Sequence, residues 1–236
     1  MRASRDGWRG WLDTAATLLT IAAATTLIYV AVYRTEPGVA LPAPTESLPR
    51  EPVLLDGTAT LGNPEAEVAM IVYSDFECPF CGQFARETWP RLKEEYVESG
   101  RVIVAFNHFP LHAIHPHALS AAAAAECAET ISGRFWDMHD LLFGDQAALD
   151  RAAIDRRATE LGLDMDSFTD CMSGPGLQAA YQEGETATKL GIRSTPSFLI
   201  GRTQPDGRVA ITDRLSGALP FTSIAAALDD TAQNGS

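Results

Sequence analysis

The chain has 236 residues, 46% of them apolar, and a formal charge of −13. That length suits one globular domain plus an anchor, or two small domains, with enough apolar residues for a real core. The charge is uneven: residues 1–34 carry Arg2, Arg5, Arg9 and Arg34 against Asp6 and Asp13, a net of +2, so the rest carries −15. Such acidity argues against nucleic acid as a partner and against attraction to an anionic membrane surface.

In chain order, residues 1–10 read as a short basic tail. Trp11–Tyr33 is a run of 23 residues whose one charge is Asp13, with aromatic residues near both ends. About 20 apolar residues suffice to span a bilayer. Three arginines precede the run and only Arg34 closely follows it, which predicts a cytoplasmic amino end. A cleaved signal peptide is the alternative, with small residues near Gly38–Ala40, but its apolar region would be unusually long. Residues 34–52 hold five prolines and no apolar periodicity, and read as a partly extended spacer. Nothing in that spacer reads as a dimerisation domain, and a monomer is expected.

Val53–Leu55 is a short candidate strand, and Gly62-Asn-Pro64 is turn chemistry. Val68–Tyr73, apolar on both alternating faces, predicts a central strand covered on both sides. It leads into Ser74-Asp-Phe-Glu-Cys78-Pro-Phe-Cys81 and then a helical run, 84–97, with Phe84, Trp89, Leu92 and Tyr96 at core spacing. Pro90 should kink that helix. Gly100 ends it, and Arg101–Asn107 is the next strand.

Two cysteines two residues apart at a strand-to-helix junction suit dithiol–disulfide exchange. Pro79 fits the first helical turn, where its missing N–H costs nothing. Free backbone N–H groups and the helix dipole there favour a thiolate at Cys78. Cys81 lies one turn on, on the same face, within reach of Cys78. The same spacing is half of a zinc site, but no second pair at ligand spacing accompanies it. Asp75 and Glu77 read as solvated loop carboxylates. The five histidines (His108, His112, His115, His117 and His139), four of them clustered within residues 108–117, read as loop and helix-start residues, and no metal is expected.

From about Pro110 to Leu190 the pattern is helical, with runs at Pro116–Glu129, Phe135–Phe143, Arg151–Leu161, Asp166–Met172 and Leu177–Leu190. Some 80 residues of helix between strands far exceed an ordinary crossover and indicate an inserted subdomain. Cys127 and Cys171 fall inside it, as free core cysteines or as a helix-to-helix disulfide. Phe198–Ile200 and Val209–Thr212 then form a hairpin through Pro205-Asp-Gly207, and Phe221–Asp230 is a last helix.

Leu61-Gly-Asn-Pro64, Tyr73–Cys81, Phe109-Pro-Leu111 followed by His115, and Ser194-Thr-Pro196-Ser-Phe198 together resemble the DsbA-like thiol–disulfide oxidoreductases. The likeness is to the membrane-anchored branch with a second cysteine pair, and it covers roughly Val53 to Asp229. It implies an α/β thioredoxin-like fold with an inserted helical subdomain (110–190) between two core segments (53–109 and 191–232), preceded by the transmembrane anchor (11–33). It further implies that Cys78 and Cys81 are catalytic, that Pro196 is cis and faces them, and that the Thr195 backbone pairs with substrate. No cofactor beyond the Cys78–Cys81 disulfide is expected. In an extracytoplasmic location Cys127 and Cys171 should form a structural disulfide.

The implied function is oxidation of cysteine pairs in exported proteins, with re-oxidation by a quinone-linked membrane partner of the DsbB or VKOR type. A disulfide isomerase or reductase of the same fold, and a metal- or partner-binding module, are the alternatives. Two positions depart from the wider family. The dipeptide between the cysteines is Pro-Phe, without the imidazole of strongly oxidising members, which predicts a less extreme potential. Residue 72, where many thioredoxin-fold enzymes carry an acid, is valine.

Overall fold

The computed structural model describes residues 48–55 and 57–234. The expected anchor and most of the spacer lie outside the described residues. Among the described residues no helix is long and apolar enough to cross a membrane.

The strands are β1 (Val53–Leu54), β2 (Ala59–Leu61), β3 (Val68–Ser74), β4 (Val102–His108), β5 (Ser197–Thr203) and β6 (Arg208–Ser216). They form one sheet in the order β1-β6-β5-β3-β4-β2, with β3 and β4 parallel and the other neighbours antiparallel. β3 is buried along its whole length, as its uninterrupted apolar run predicts. Val68, Met70 and Val72 face one layer, and Ala69, Ile71 and Tyr73 face the other. β2 is absent from the sequence reading: three residues between two turns carry too little alternation to register.

The helix after the cysteines, α1 (residues 79–97), is one continuous but uneven run. α-Helical segments at Pro79–Gln83 and Trp89–Leu92 alternate with π-helical turns at Phe84–Thr88 and Lys93–Val97. Pro90 accounts for the first wide turn. It has no N–H to give, and its ring would collide with the carbonyl four residues back. The helix widens there, and the Trp89 N–H bonds the Phe84 carbonyl, five residues behind. Phe84, Trp89, Leu92 and Tyr96 still end up buried, against β3 and Ile224 and Leu228 of the last helix, α7 (Phe221–Gln233).

The inserted helices are α2 (Ala118–Ser132), α3 (Phe135–Gly144), α4 (Arg151–Glu160), α5 (Met165–Ser173) and α6 (Pro175–Lys189). Residues 111–117, expected as part of a continuous helical region, are instead a chain of turns. Asp150 and Asp164 cap α4 and α5 by accepting from the Ala153 and Ser167 N–H groups at 2.9 Å each. The alanines of α2 leave room for close neighbours, and Ala121, Ala123, Ala124, Ala125 and Ala128 are fully buried. Cys127 and Cys171 are bonded across α2 and α5.

Aromatic contacts help to join the insert to the sheet domain. Trp136 stacks on Trp89 with ring centroids 5.6 Å apart, and its indole N–H donates to the Thr60 carbonyl at 3.0 Å. Behind the dithiol, Phe76 stacks on Phe106 and packs on Phe143.

Candidate functional site

Cys78 is the N-cap of α1, in extended conformation, with Pro79 in the first turn. Its sulfur faces Thr195, whose peptide bond to Pro196 is cis. In the thiol form Cys78 Sγ donates to the Thr195 carbonyl at 3.6 Å. A cis X-Pro bond turns the chain sharply enough to bring this carbonyl to the sulfur from 117 residues away. The four residues expected at the centre of the site, Cys78, Cys81, Thr195 and Pro196, are therefore together.

The two sulfurs are in different environments. The Cys78 thiol is pulled down to about 5, chiefly because Cys81 hydrogen-bonds to its thiolate. Burial opposes this, while Thr195 and the backbone N–H groups of Cys81 and Phe80 add to it. The Thr195 hydroxyl is buried and has no other partner, which leaves it free to serve the thiolate. Cys81 is fully buried, and burial pushes its thiol well above the ordinary cysteine value. One sulfur is thus a thiolate at neutral pH and the other a thiol that donates to it.

Phe80 beside the dithiol is 60% exposed. With Gln83, Ser194, Thr195, Ser216, Gly217 and Ala218 it lines an open groove of about 400 Å³ that runs past the cis-proline.

Three features correct the sequence reading. Asp75 is 2% exposed and is not a solvated loop carboxylate. Its Oδ1 accepts the Glu77 N–H at 2.8 Å, and its Oδ2 accepts the Leu111 N–H at 2.9 Å and meets His115 Nδ1 at 2.7 Å. Glu77, half-buried, accepts the His117 N–H at 2.6 Å. These bonds lash the 109–117 segment to the loop ahead of Cys78. Nothing in the spacing of residues 40 apart announces such pairs; only the loop's return across the end of β3 creates them.

His108 and His139 also depart from expectation, since one ends a strand and the other lies inside a helix, and both are buried. His108 Nε2 is 3.1 Å from Glu126, and its backbone N–H donates to Glu183 at 2.6 Å. Burial pulls the His108 imidazole down, but Glu183 and Glu126 more than offset that and raise it. Burial raises the Glu183 carboxyl. Ligand atoms of His108, Glu126 and Glu183 lie within 4.8 Å of one another, close enough to hold a metal ion. Within the cluster Glu126 pairs with the imidazole Nε2 and Glu183 accepts the backbone N–H, while His108 Nδ1 is buried with no hydrogen-bond partner among the described residues.

Gln146 is a further contributor that sequence reasoning missed. Its amide N–H group donates to the carbonyls of Phe76 and Cys78 at 2.8 and 2.9 Å, and its carbonyl accepts from Arg86. A side chain at Gly82 would run into this amide, since an added Cβ would lie 1.8 Å from Gln146 Oε1. The glycine after the second cysteine is therefore what lets the insert brace the active-site turn.

A dithiol at a helix start, opposite a cis-proline on a mixed sheet, defines a redox site of the thioredoxin type. The comparisons agree. A thioredoxin family model matches residues 55–217, more than half of the chain. Alpha-DsbA1 of Wolbachia pipientis superposes with a TM-score of 0.68 at 24% identity, over 77% of this chain and 94% of that one. BdbD of Bacillus subtilis gives 0.65 at 17%, over 78% and 99%. A thioredoxin-like oxidoreductase from Silicibacter pomeroyi gives 0.61 at 25%, over 78% and 97%. The chain belongs to the thioredoxin family, and its fold is like those of alpha-DsbA1 and BdbD.

Among curated sequences it is 36% identical over 169 residues to the Na(+)/H(+) antiporter NhaA 3 of Salinispora tropica. That match takes in 71% of this chain and 25% of the antiporter. The chain thus spans about a quarter of the length of the curated relatives it matches, and their transport activity is not carried over to it.

Proposed function

We propose that this protein is a membrane-tethered, extracytoplasmic oxidase of cysteine pairs in exported proteins. The observation that carries the reading is the Cys78 sulfur at the start of α1, set against the Thr195 carbonyl at the cis-proline. A substrate thiolate attacks Cys78 in the enzyme disulfide, the bond to Cys81 breaks, and Cys81 takes up a proton. A second substrate thiolate then attacks the substrate sulfur of the mixed disulfide and releases Cys78 as a thiolate. The substrate loses two electrons and two protons; the enzyme gains two electrons, held on the Cys78 thiolate and the Cys81 thiol.

The leaving group supports this direction. A low-pKa Cys78 is readily displaced and stabilises the reduced enzyme, which makes its disulfide oxidising. The resemblance adds a quinone-linked membrane protein of the DsbB or VKOR type as the oxidant that restores the disulfide. The 11–33 segment supports the tether, and Thr195 and Pro196 are assigned to the substrate backbone.

The test is the oxidised protein mixed with a reduced two-disulfide substrate. Stoichiometric oxidation and substrate refolding are expected, with complete loss for Cys78→Ser. Rapid reduction of insulin without net oxidation of the reduced substrate would instead make it a reductase.

A further inference from the structure

The exchange chemistry leaves the Asp75–His115 pair without a task. Asp75 lies three residues before the nucleophile, and its carbonyl accepts the Cys78 N–H at 3.2 Å. Its carboxylate is fully buried and holds His115 Nδ1 at 2.7 Å, and the His115 side chain is 17% exposed. The imidazole is therefore one hydrogen-bonded residue away from the turn that carries Cys78, in a partly buried position. We propose that His115 sets the charge around Cys78: its imidazolium, held by Asp75, supplies from a separate loop the positive charge that Phe80 cannot supply between the cysteines.

The charged groups that act most strongly on the ring are Asp75, Glu77 and Cys78, all from the active-site loop and all negative. Burial lowers the His115 imidazole, but these anions together raise it above its ordinary value. The Cys78 thiolate is itself one of the groups that raise it. Coupling between two sites is reciprocal, so a protonated His115 must stabilise the Cys78 thiolate by the same free energy. Asp75 taken alone would do the opposite, because a carboxylate beside a thiol opposes its ionisation. The histidine both neutralises that carboxylate and adds its own attraction. Its loss therefore acts twice, by removing a cation and by baring an anion.

The inference rests on the redox reading of Cys78, and the experiment separates the two. The reduced full chain is titrated by thiolate absorbance at 240 nm and equilibrated with glutathione, as wild type, His115→Asn, His115→Lys and Asp75→Asn/His115→Asn. Replacing the imidazolium by a neutral amide should raise the Cys78 midpoint by about 1 unit, the size expected for a lost nearby charge. The glutathione equilibrium should move about tenfold toward the oxidised enzyme, since one unit is a tenfold effect. Lysine, cationic but differently shaped, should keep the wild-type midpoint, and the double variant should recover most of the shift.

A purely structural role would move Asn and Lys alike, and an unchanged midpoint in His115→Asn would show no charge role. Either result overturns the inference. Were the wild type itself to show no thiolate at pH 7 and no exchange with glutathione, the redox reading would fall first.

Discussion

A cysteine that ionises near pH 5 alters the thermodynamics of the whole reduced chain. The Cys78 thiol is depressed from 9.0 to about 5 in the folded state. For an acid lowered on folding, the unfolded chain binds the extra proton between those two values, so stability rises with pH across that window. The contribution is complete above the unfolded value and is lost as pH falls through 5. Cys81 is shifted the other way and works against stability only above the ordinary cysteine range. The melting temperature of the reduced protein, relative to the oxidised one, should therefore climb from pH 4 to pH 8. The underlying difference in unfolding free energy should change by at most about 1.4 kcal/mol per pH unit. Paired thermal melts check this; a difference that stays flat would mean that Cys78 is an ordinary thiol. The histidine and carboxylate partners of this region were invisible in the sequence for a plain reason. Asp75 with His115, and His108 with Glu126 and Glu183, are separated by turns and helices whose paths no local pattern encodes.

At the scale of elements, the insert depends on a disulfide and on one glycine. Closing the loop between Cys127 and Cys171, 44 residues apart, contributes about 4 kcal/mol in the chain-entropy account. Gly176, near the start of α6, is where that bridge needs space. An added Cβ there would lie 2.3 Å from Cys127 Sγ and 3.0 Å from Cys171 Sγ. Gly176→Ala should consequently either expel the disulfide or displace α6, with a loss of about 2–4 kcal/mol. Denaturant melts of the oxidised chain, with thiol counting, measure it; a wild-type midpoint with the bridge intact would refute the expectation. The helix boundaries in this region were legible to within a few residues, because capping aspartates and glycines mark them. The wide turns of α1 were only half legible: Pro90 predicts a kink, but not the form that it takes.

For the molecule as a whole, the question is how a helical insert stays registered on a sheet domain. Trp136 reaches across to Trp89 and to the Thr60 carbonyl, and Gln146 reaches the carbonyls on either side of the nucleophile's turn. Trp136→Ala would remove a half-buried ring and leave the Thr60 acceptor without its donor. A cost of about 3 kcal/mol is expected, at the low end for a large aromatic because this ring is only partly buried. The more telling readout is exchange. Amide protection should fall along β2 and α3 together while α7 is spared, and uniform loss of protection would argue against a joint at this position. Arg157 secures the same insert from within by donating to the carbonyls of Leu141, Asp145 and Ala148.

The proline opposite the cysteines was implied by the family resemblance, while the sequence by itself determined the β-α-β core, the helical insert and the cysteine pair at a helix start. Each of these is written in local periodicity or in the stereochemistry of a few adjacent residues. Tertiary structure alone decided that Asp75 is buried, that His115 stands beside it, that His108 meets two glutamates and that Gln146 braces Cys78. Those pairings depend on where distant segments cross. A carboxylate that reads as solvated in a string of letters becomes an organising charge once a loop folds over it and water is gone.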